Sequence, residues 1–311
     1  MAPTMIISWI VQFLIVPVLS PLSIGLTRKI KAKLQNRVGA SIFQPYRDLW
    51  KLFNKNEVVS LDASWIFLFA PYIVFATTLL VASGIPMVNV AFQNIVTGDL
   101  LVIVYMVAFG TFFLALAGLD VGGGFGGFGS SREMMVSALT EGGLILSLLT
   151  LALISHSTNL FTIASTISTI SFLNFTPIIL AFVSFIIAML AETSRYPFDN
   201  PATHLELTMI HEAMLLEYSG KRLALMEWAS ANKYLIFLSL AVNLFFPWGI
   251  AQSISLSAIT FATAVFILKV ALLSILVAVL ESSIAKFRIF RLPDLMFTSL
   301  AISMIAVGLI I

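Results

Sequence analysis

Eight long apolar runs, at about 5–26, 65–84, 99–119, 133–155, 174–193, 233–250, 256–281 and 292–311, decide what this chain can fold into. The hydrocarbon slab of a bilayer is about 30 Å thick, and a helix rising 1.5 Å per residue needs about 20 apolar residues to cross it. The runs are close to that length, so they predict an all-α integral membrane protein with about eight transmembrane helices in a single polytopic domain, 1–311. Composition agrees: 59% of the residues are hydrophobic and 10% charged, against about 45–50% and 25% in soluble globular chains. A soluble fold is excluded. No Lys or Arg precedes Arg28, whereas a signal peptide opens on a basic region, so the first run reads as a retained span. The stretch 156–173 is rich in Ser, Thr and Ile, with His156 as its one ionisable residue. It reads as a loop, a short interfacial helix, or a ninth span.

Basic residues orient the bundle. With eight spans, both termini share one side and alternate connections share the other. All but one of the 17 basic residues fall in the first, third, fifth and seventh connections, from Arg28, Lys31, Arg37 and Arg47 to Lys286, Arg288 and Arg291. The positive-inside rule places those connections in the cytoplasm and both termini outside. The protein is thus expected as a multi-pass membrane protein. Two cytoplasmic connections, 27–64 and 194–232, are long enough to hold structure. Tyr46, Leu49, Trp50 and Phe53 recur at helical spacing among Arg47, Asp48, Lys51 and Lys55, which predicts a helix lying in the interface. Residues 202–217, after Pro201, read as a second helix.

Fifteen acidic residues are few, and their depth is informative. Glu141 sits about nine residues into the fourth run, roughly 13 Å from its cytoplasmic start. Glu192 and Glu281 lie near the cytoplasmic ends of the fifth and seventh runs, and Asp120 ends the third. The remaining cation, Lys269, lies midway along the seventh. A charge at the bilayer centre costs about 2.5–3.5 kcal/mol on insertion scales, so such groups pair, face a polar interior or bind a proton. Glu192, Glu281 and Asp120 are shallow enough to snorkel; Glu141 and Lys269 are not. After Glu192 come Arg195, Asp199, His204, Glu206, His211, Glu212 and Glu217. Positions 7 or 11 apart return to nearly one helix face, pairing His204 with His211 and Glu206 with Glu217. Histidines beside carboxylates pass protons; a solvated, partner-facing surface is the plainer alternative for His211 and Glu212. The spacing is not HExxH, and a third metal ligand is lacking. The absence of cysteine excludes disulfides and protein-held iron–sulfur clusters, so redox cofactors belong to partners. Gly124, Gly126 and Gly129 form GxGxxG between two spans. They lack the strand–helix setting of a dinucleotide site and read as flexible interfacial backbone.

The motifs resemble a known family. Ala191-Glu192-Thr193-Ser194-Arg195-Tyr196-Pro197-Phe198-Asp199, with Glu217-Tyr218-Ser219-Gly220, is similar to the ExxRxPFD…EYSG signature of the membrane subunit that forms the quinone chamber of respiratory complex I. Leu34-Gln35-Asn36-Arg37-Val38-Gly39 and Gln44-Pro45-Tyr46-Arg47-Asp48-Leu49-Trp50 resemble it too. They are closer to the homologous subunit of energy-converting, group 4 nickel–iron hydrogenases such as formate hydrogenlyase. Gly118-Leu119-Asp120, Gly129-Ser130-Ser131-Arg132-Glu133, Pro247-Trp248-Gly249 and Leu280-Glu281-Ser282 extend the likeness over essentially the whole chain.

The resemblance implies a non-catalytic subunit that couples electron transfer in a docked peripheral arm to ion movement. Its expected partners are hydrogenase-like large and small subunits, antiporter-like membrane subunits and lipid, with nickel–iron and iron–sulfur centres on the partners and no role for nucleic acid. Glu141, Glu192, Asp199, Glu206, Glu217 and Glu281, with His204 and Lys269, are the expected proton path. Arg37, Arg47, Asp48 and Arg195 are the expected docking residues. The chain departs from the complex I pattern after Phe198-Asp199, where Ala202, His204 and Glu206 replace a run of three glutamates, and the connection to Glu217 is three residues longer. Competing readings are a free-standing proton or cation transporter, a quinone-reducing complex I subunit proper, and a passive anchor.

Overall fold

A computed structural model describes residues 3–90, 96–170, 175–199, 209–253 and 255–311. Among them are eleven α-helices and no strand: α1 (Pro3–Leu34), α2 (Gln44–Phe53), α3 (Trp65–Ser83), α4 (Leu100–Asp120), α5 (Gly124–Ser155), α6 (Leu160–Ile167), α7 (Thr176–Glu192), α8 (His211–Leu215), α9 (Gly220–Leu244), α10 (Leu256–Ser283) and α11 (Leu292–Gly308). Among the described residues six stretches are long and apolar enough to cross a membrane: Ile10–Leu34 in α1, all of α3, α4, α5 and α10, and Ile289–Gly308, which contains α11. α7 is apolar but only 17 residues long. α9 has the length, at 25 residues, but Lys221, Arg222, Glu227, Asn232 and Lys233 lower its hydropathy.

That polarity is tolerated because α9 is the central helix. Every residue from Tyr234 to Leu244 is buried, and α9 packs on α1, α2, α3, α6, α7 and α10. Apolar side chains gain little by leaving lipid for protein, so close packing and interhelical hydrogen bonds hold such bundles together. Both are present. Asn232 of α9 accepts from Ser20 of α1 at 2.7 Å and donates to Thr78 of α3 at 3.1 Å. Ser184 of α7 meets Ser299 of α11 at 2.9 Å.

Two ends of the bundle are distinguishable. At one, here the α2 end, Asp120 at the close of α4 accepts from Ser64 N and Ser64 Oγ, at 2.8 and 2.6 Å, and so caps the start of α3. This gives the carboxylate a local structural task. At the opposite end the backbone of Val88 and Val90 bonds to that of Ala251. α2 lies across the first end with none of its residues buried and with Trp50 exposed.

Three expectations need correction. The glycine-rich stretch is not flexible backbone: from Gly124 onward it is the first turns of α5, which begins well before residue 133. A Cβ on Gly126 would lie 2.3 Å from the Gly118 carbonyl oxygen, and one on Gly129 would lie 2.8 Å from Ala213 Cβ. The small residues let α5 approach α4 and α8. The central helix begins at Gly220, not 233, and ends at Leu244. Within 156–173, where a short helix is one of the three readings above, α6 forms behind Asn159, whose side chain accepts from Phe161 N and Thr162 N. Of the predicted helix 202–217, only residues 209–217 are described, and helix there covers His211–Leu215.

Candidate functional site

The charged residues of the α2 end assemble into a buried ionic cluster, built from helix termini. α7 stops at Glu192, and Ser194 adopts left-handed backbone, φ 50°. Such a conformation costs a non-glycine residue about 1–3 kcal/mol and is kept where the surroundings over-determine it. Here it reverses the chain so that Arg195, Phe198 and Asp199 fold back under the bundle, with Phe198 N and Asp199 N donating to Arg195 O.

Four ion pairs follow, on three carboxylates. Glu192, 6% exposed, meets Lys233 of α9 at 2.8 Å. Lys233 also donates to Thr111 Oγ1 of α4 at 3.1 Å, and Ser137 Oγ of α5 reaches the other Glu192 oxygen at 3.4 Å. Glu281, near the end of α10, is gripped by Arg195 at 2.7 Å and Lys31 at 3.1 Å. The Arg195 guanidinium also lies 3.7 Å from the centroid of the Tyr234 ring, a cation–π contact. Asp199 pairs with Lys286 at 2.8 Å and accepts the backbone N–H groups of Ile210 and His211, at 3.1 and 3.2 Å.

α5 brings a further carboxylate. Glu133, Ser137 and Glu141 recur at intervals of four, so they share one stripe of the helix. Glu133 is 4% exposed and lies within electrostatic reach of Lys233 and Glu192. Glu141 is less deeply buried and is coupled to Glu192.

Two cavities flank the cluster. The wider is a vestibule of about 510 Å³ between α1, α8 and α9, lined by Arg28, Lys31, Arg195, Glu212, Glu227 and Glu281 among others. The second, narrower and more apolar, reaches Glu192, Lys233, Thr77, Thr78 and Thr111. Glu212 is pushed up to about 7, chiefly by burial and then by Glu227 beside it. His211 is lowered to about 4 by burial and by the Lys233 ammonium.

Several anticipated residues lie elsewhere. Glu217 is exposed, near the Gly122–Gly124 turn. Arg37 and Arg47 are on the surface, and Asp48 accepts from Gln44 within α2. Arg195, grouped with docking residues from sequence, is buried against Glu281. Lys269 is remote from the cluster: it donates to Phe246 O at 2.7 Å and Asn243 Oδ1 at 3.4 Å, where α9 ends. His204 and Glu206 lie outside the described residues. Sequence reading missed Glu133, Lys233 and Glu227 as members of the site, and left Glu212 open between a proton-passing group and a solvated surface. Glu133 and Ser137, four apart and leading to Glu141, were the available signal. Among the described residues no group of three or more metal-ligating side chains is placed to hold an ion.

A family model described as NADH dehydrogenase matches residues 6–311. The chain belongs to that family. Within the NADH dehydrogenase family it is 34% identical over 302 residues to Hydrogenase-4 component C of Escherichia coli (strain K12), covering 97% of this chain and 95% of that protein. Formate hydrogenlyase subunit 4 of the same organism is 31% identical over 297 residues, covering 96% of each. A solved chain from the membrane-bound sulfane sulfur reductase, an archaeal respiratory membrane complex, superposes with a TM-score of 0.82. It covers 98% of this chain and 99% of its own length at 17% identity, a likeness of fold alone. This member of the NADH dehydrogenase family is a multi-pass plasma-membrane protein, related to membrane subunits of complex I-like and group 4 hydrogenase-like assemblies.

Proposed function

We propose that this chain anchors a peripheral redox arm to the membrane and carries a cytoplasm-facing proton path. On this reading α1, α3, α4, α5, α7, α9, α10 and α11 all cross the bilayer, the α2 end faces the cytoplasm and both termini face outward. The crowding of basic residues at the α2 end supports that orientation. Arg37, Arg47 and Asp48, with the exposed Trp50, offer the docking surface. Nickel–iron and iron–sulfur centres reside on hydrogenase-like partners, and antiporter-like membrane subunits continue the ion route.

The observation that carries the proposal is the Glu192–Lys233 pair, buried beside Glu133 and reached by a cavity that adjoins the open vestibule. Two charges taken out of water hold each other ionised only while both are present. A proton delivered to Glu192 therefore weakens its grip on Lys233 and changes the energy of the next carboxylates, Glu133 and Glu141. A charge change in a docked partner, felt through the Arg195–Glu281–Lys31 group, biases the same equilibrium. Asp199, Glu206, His204 and Glu217 belong to the approach, and Glu141 to the exit toward the membrane interior.

The test uses the assembly copurified through a tag on this chain, with its partners identified and its metals measured. In inverted vesicles Glu192→Gln should retain electron transfer to an artificial acceptor and lose the accompanying proton uptake. Normal uptake would overturn the path. Ion flux from the chain alone in liposomes would favour a free-standing transporter instead.

A further inference from the structure

The vestibule and the inner cavity are lined by a common set of five residues: Thr193, Ser194, His211, Leu215 and Ser230. His211 is the one titratable member. It opens α8, and the two backbone N–H bonds to Asp199 fix its place at the partition. Its Nε2 atom is shut off from solvent and, among the described residues, has no hydrogen-bond partner. A buried ring nitrogen without a partner costs about 1–3 kcal/mol, so a site that keeps one calls for a reason. Hydroxyls such as Thr193 and Ser230 only hand protons along existing hydrogen bonds. A neutral imidazole accepts on one nitrogen and donates from the other.

We propose that His211 is the proton relay between the two cavities, connecting the vestibule carboxyls Glu212 and Glu227 with the Glu192–Lys233 pair. This deepens the function proposed above and rests on it. In the step, a proton from the vestibule bonds to the free ring nitrogen while the N–H bond on the other nitrogen breaks toward Glu192. The ring is neutral before and after, and one proton has crossed the partition. Rotation of the ring, which exchanges its two nitrogens, resets it. The charged groups around it are Glu212 beside it on α8, Asp199 at its amide, Lys233 and Glu192 at the inner cavity, and Glu227, Arg28, Lys31, Arg37, Arg195 and Glu281 around the vestibule. Lys233 and burial together keep the ring uncharged near neutral pH and therefore able to accept.

The experiment uses the copurified assembly in inverted vesicles, driven by reduced viologen, with proton uptake followed by a pH-sensitive dye and normalised to electrons delivered. His211→Ala should lower normalised uptake at least tenfold, and added imidazole, small enough for the vestibule, should restore it. His211→Gln, which keeps size and polarity but cannot exchange protons between two nitrogens, should stay low. Uptake near the native level in either variant overturns the relay, as does a loss in His211→Ala that imidazole leaves untouched; if the alanine variant does not assemble, the glutamine variant decides. Glu192→Gln separates the two proposals: with Glu192→Gln uncoupled but His211→Gln at native uptake, the path stands and the relay falls. With Glu192→Gln fully coupled, the path itself falls.

Discussion

Two half-buried lysines of this bundle meet different partners. Lys233 faces a carboxylate, Glu192 at 2.8 Å, with Thr111 as a second acceptor. Lys269 faces the carbonyl oxygens of Phe246 and Asn243, at 2.7 and 3.4 Å, in the last residues of α9 and just beyond. Helix C-termini carry unsatisfied carbonyls and the negative end of the macrodipole, so a cation there is stabilised without any titratable partner. A proton arriving at a carboxylate would alter the first arrangement, whereas the second holds no carboxylate to receive one. On the proposed function, the two lysines of this bundle thus separate into a switch and a fastening according to what accepts the hydrogen bond.

The comparison breaks most readily at Lys233. Lys233→Met leaves Glu192 buried without its cation, and breaking such a pair costs about 3–5 kcal/mol. Poor assembly and loss of coupled uptake are expected. Replacing both partners, Lys233→Met with Glu192→Leu, should recover much of the thermal stability in detergent and none of the coupling. Recovery of coupling would show the pair to be structural. Lys269→Met removes a donor from two acceptors and should cost about 1–3 kcal/mol, seen as a lower melting temperature. Protons moved per electron should stay near the native value, and a fall would return Lys269 to the path. Glu141→Gln reverses that pattern: little change in melting is expected because the group is less buried than Glu133, with partner electron transfer intact and coupled pumping abolished. Normal pumping would remove Glu141 from the mechanism.

A last prediction concerns pH. Glu212 is raised from 4.5 to about 7 by burial and by Glu227. The folded chain then holds a proton that the unfolded chain releases above about 4.5, so this group's contribution is full below that pH and is lost as pH rises toward 7. Glu212→Gln should therefore gain on the native chain across that window and keep a constant lead above it. Parallel stability curves from pH 4 to 8 would mean that Glu212 is solvated in the assembly.

The alternation of apolar runs with basic connections made the helical bundle legible, and Glu192 and Glu281 were visible as carboxylates at span ends, with Asp199 in the loop after Glu192. Lys233 and Glu133 were not. Hydropathy marks where a helix is oily, not where it begins. α9 carries Lys221, Arg222 and Glu227 in its first turns, so its apolar part appeared to start at residue 233 and Lys233 appeared to belong to a loop. A helix surrounded by other helices has no lipid-facing stripe to obey, and its polar residues meet neighbours instead. Glu133 was hidden for the opposite reason. Glycines usually punctuate chains, but Gly126 and Gly129 are packing surfaces inside α5, so the helix began earlier than its apolar run. The residues between 200 and 208 lie outside the described structure, leaving the pairing of His204 with His211 to sequence alone.

Asp199 has a mechanical consequence. One oxygen holds Lys286, in the connection between α10 and α11, and the other holds the first amides of α8. A single short, rigid side chain therefore clamps two segments more than seventy positions apart. Any pull that shifts the 284–288 strap must drag the start of α8 with it and tilt the imidazole at the partition, so traction on the rim becomes a change in how the two water-accessible spaces communicate.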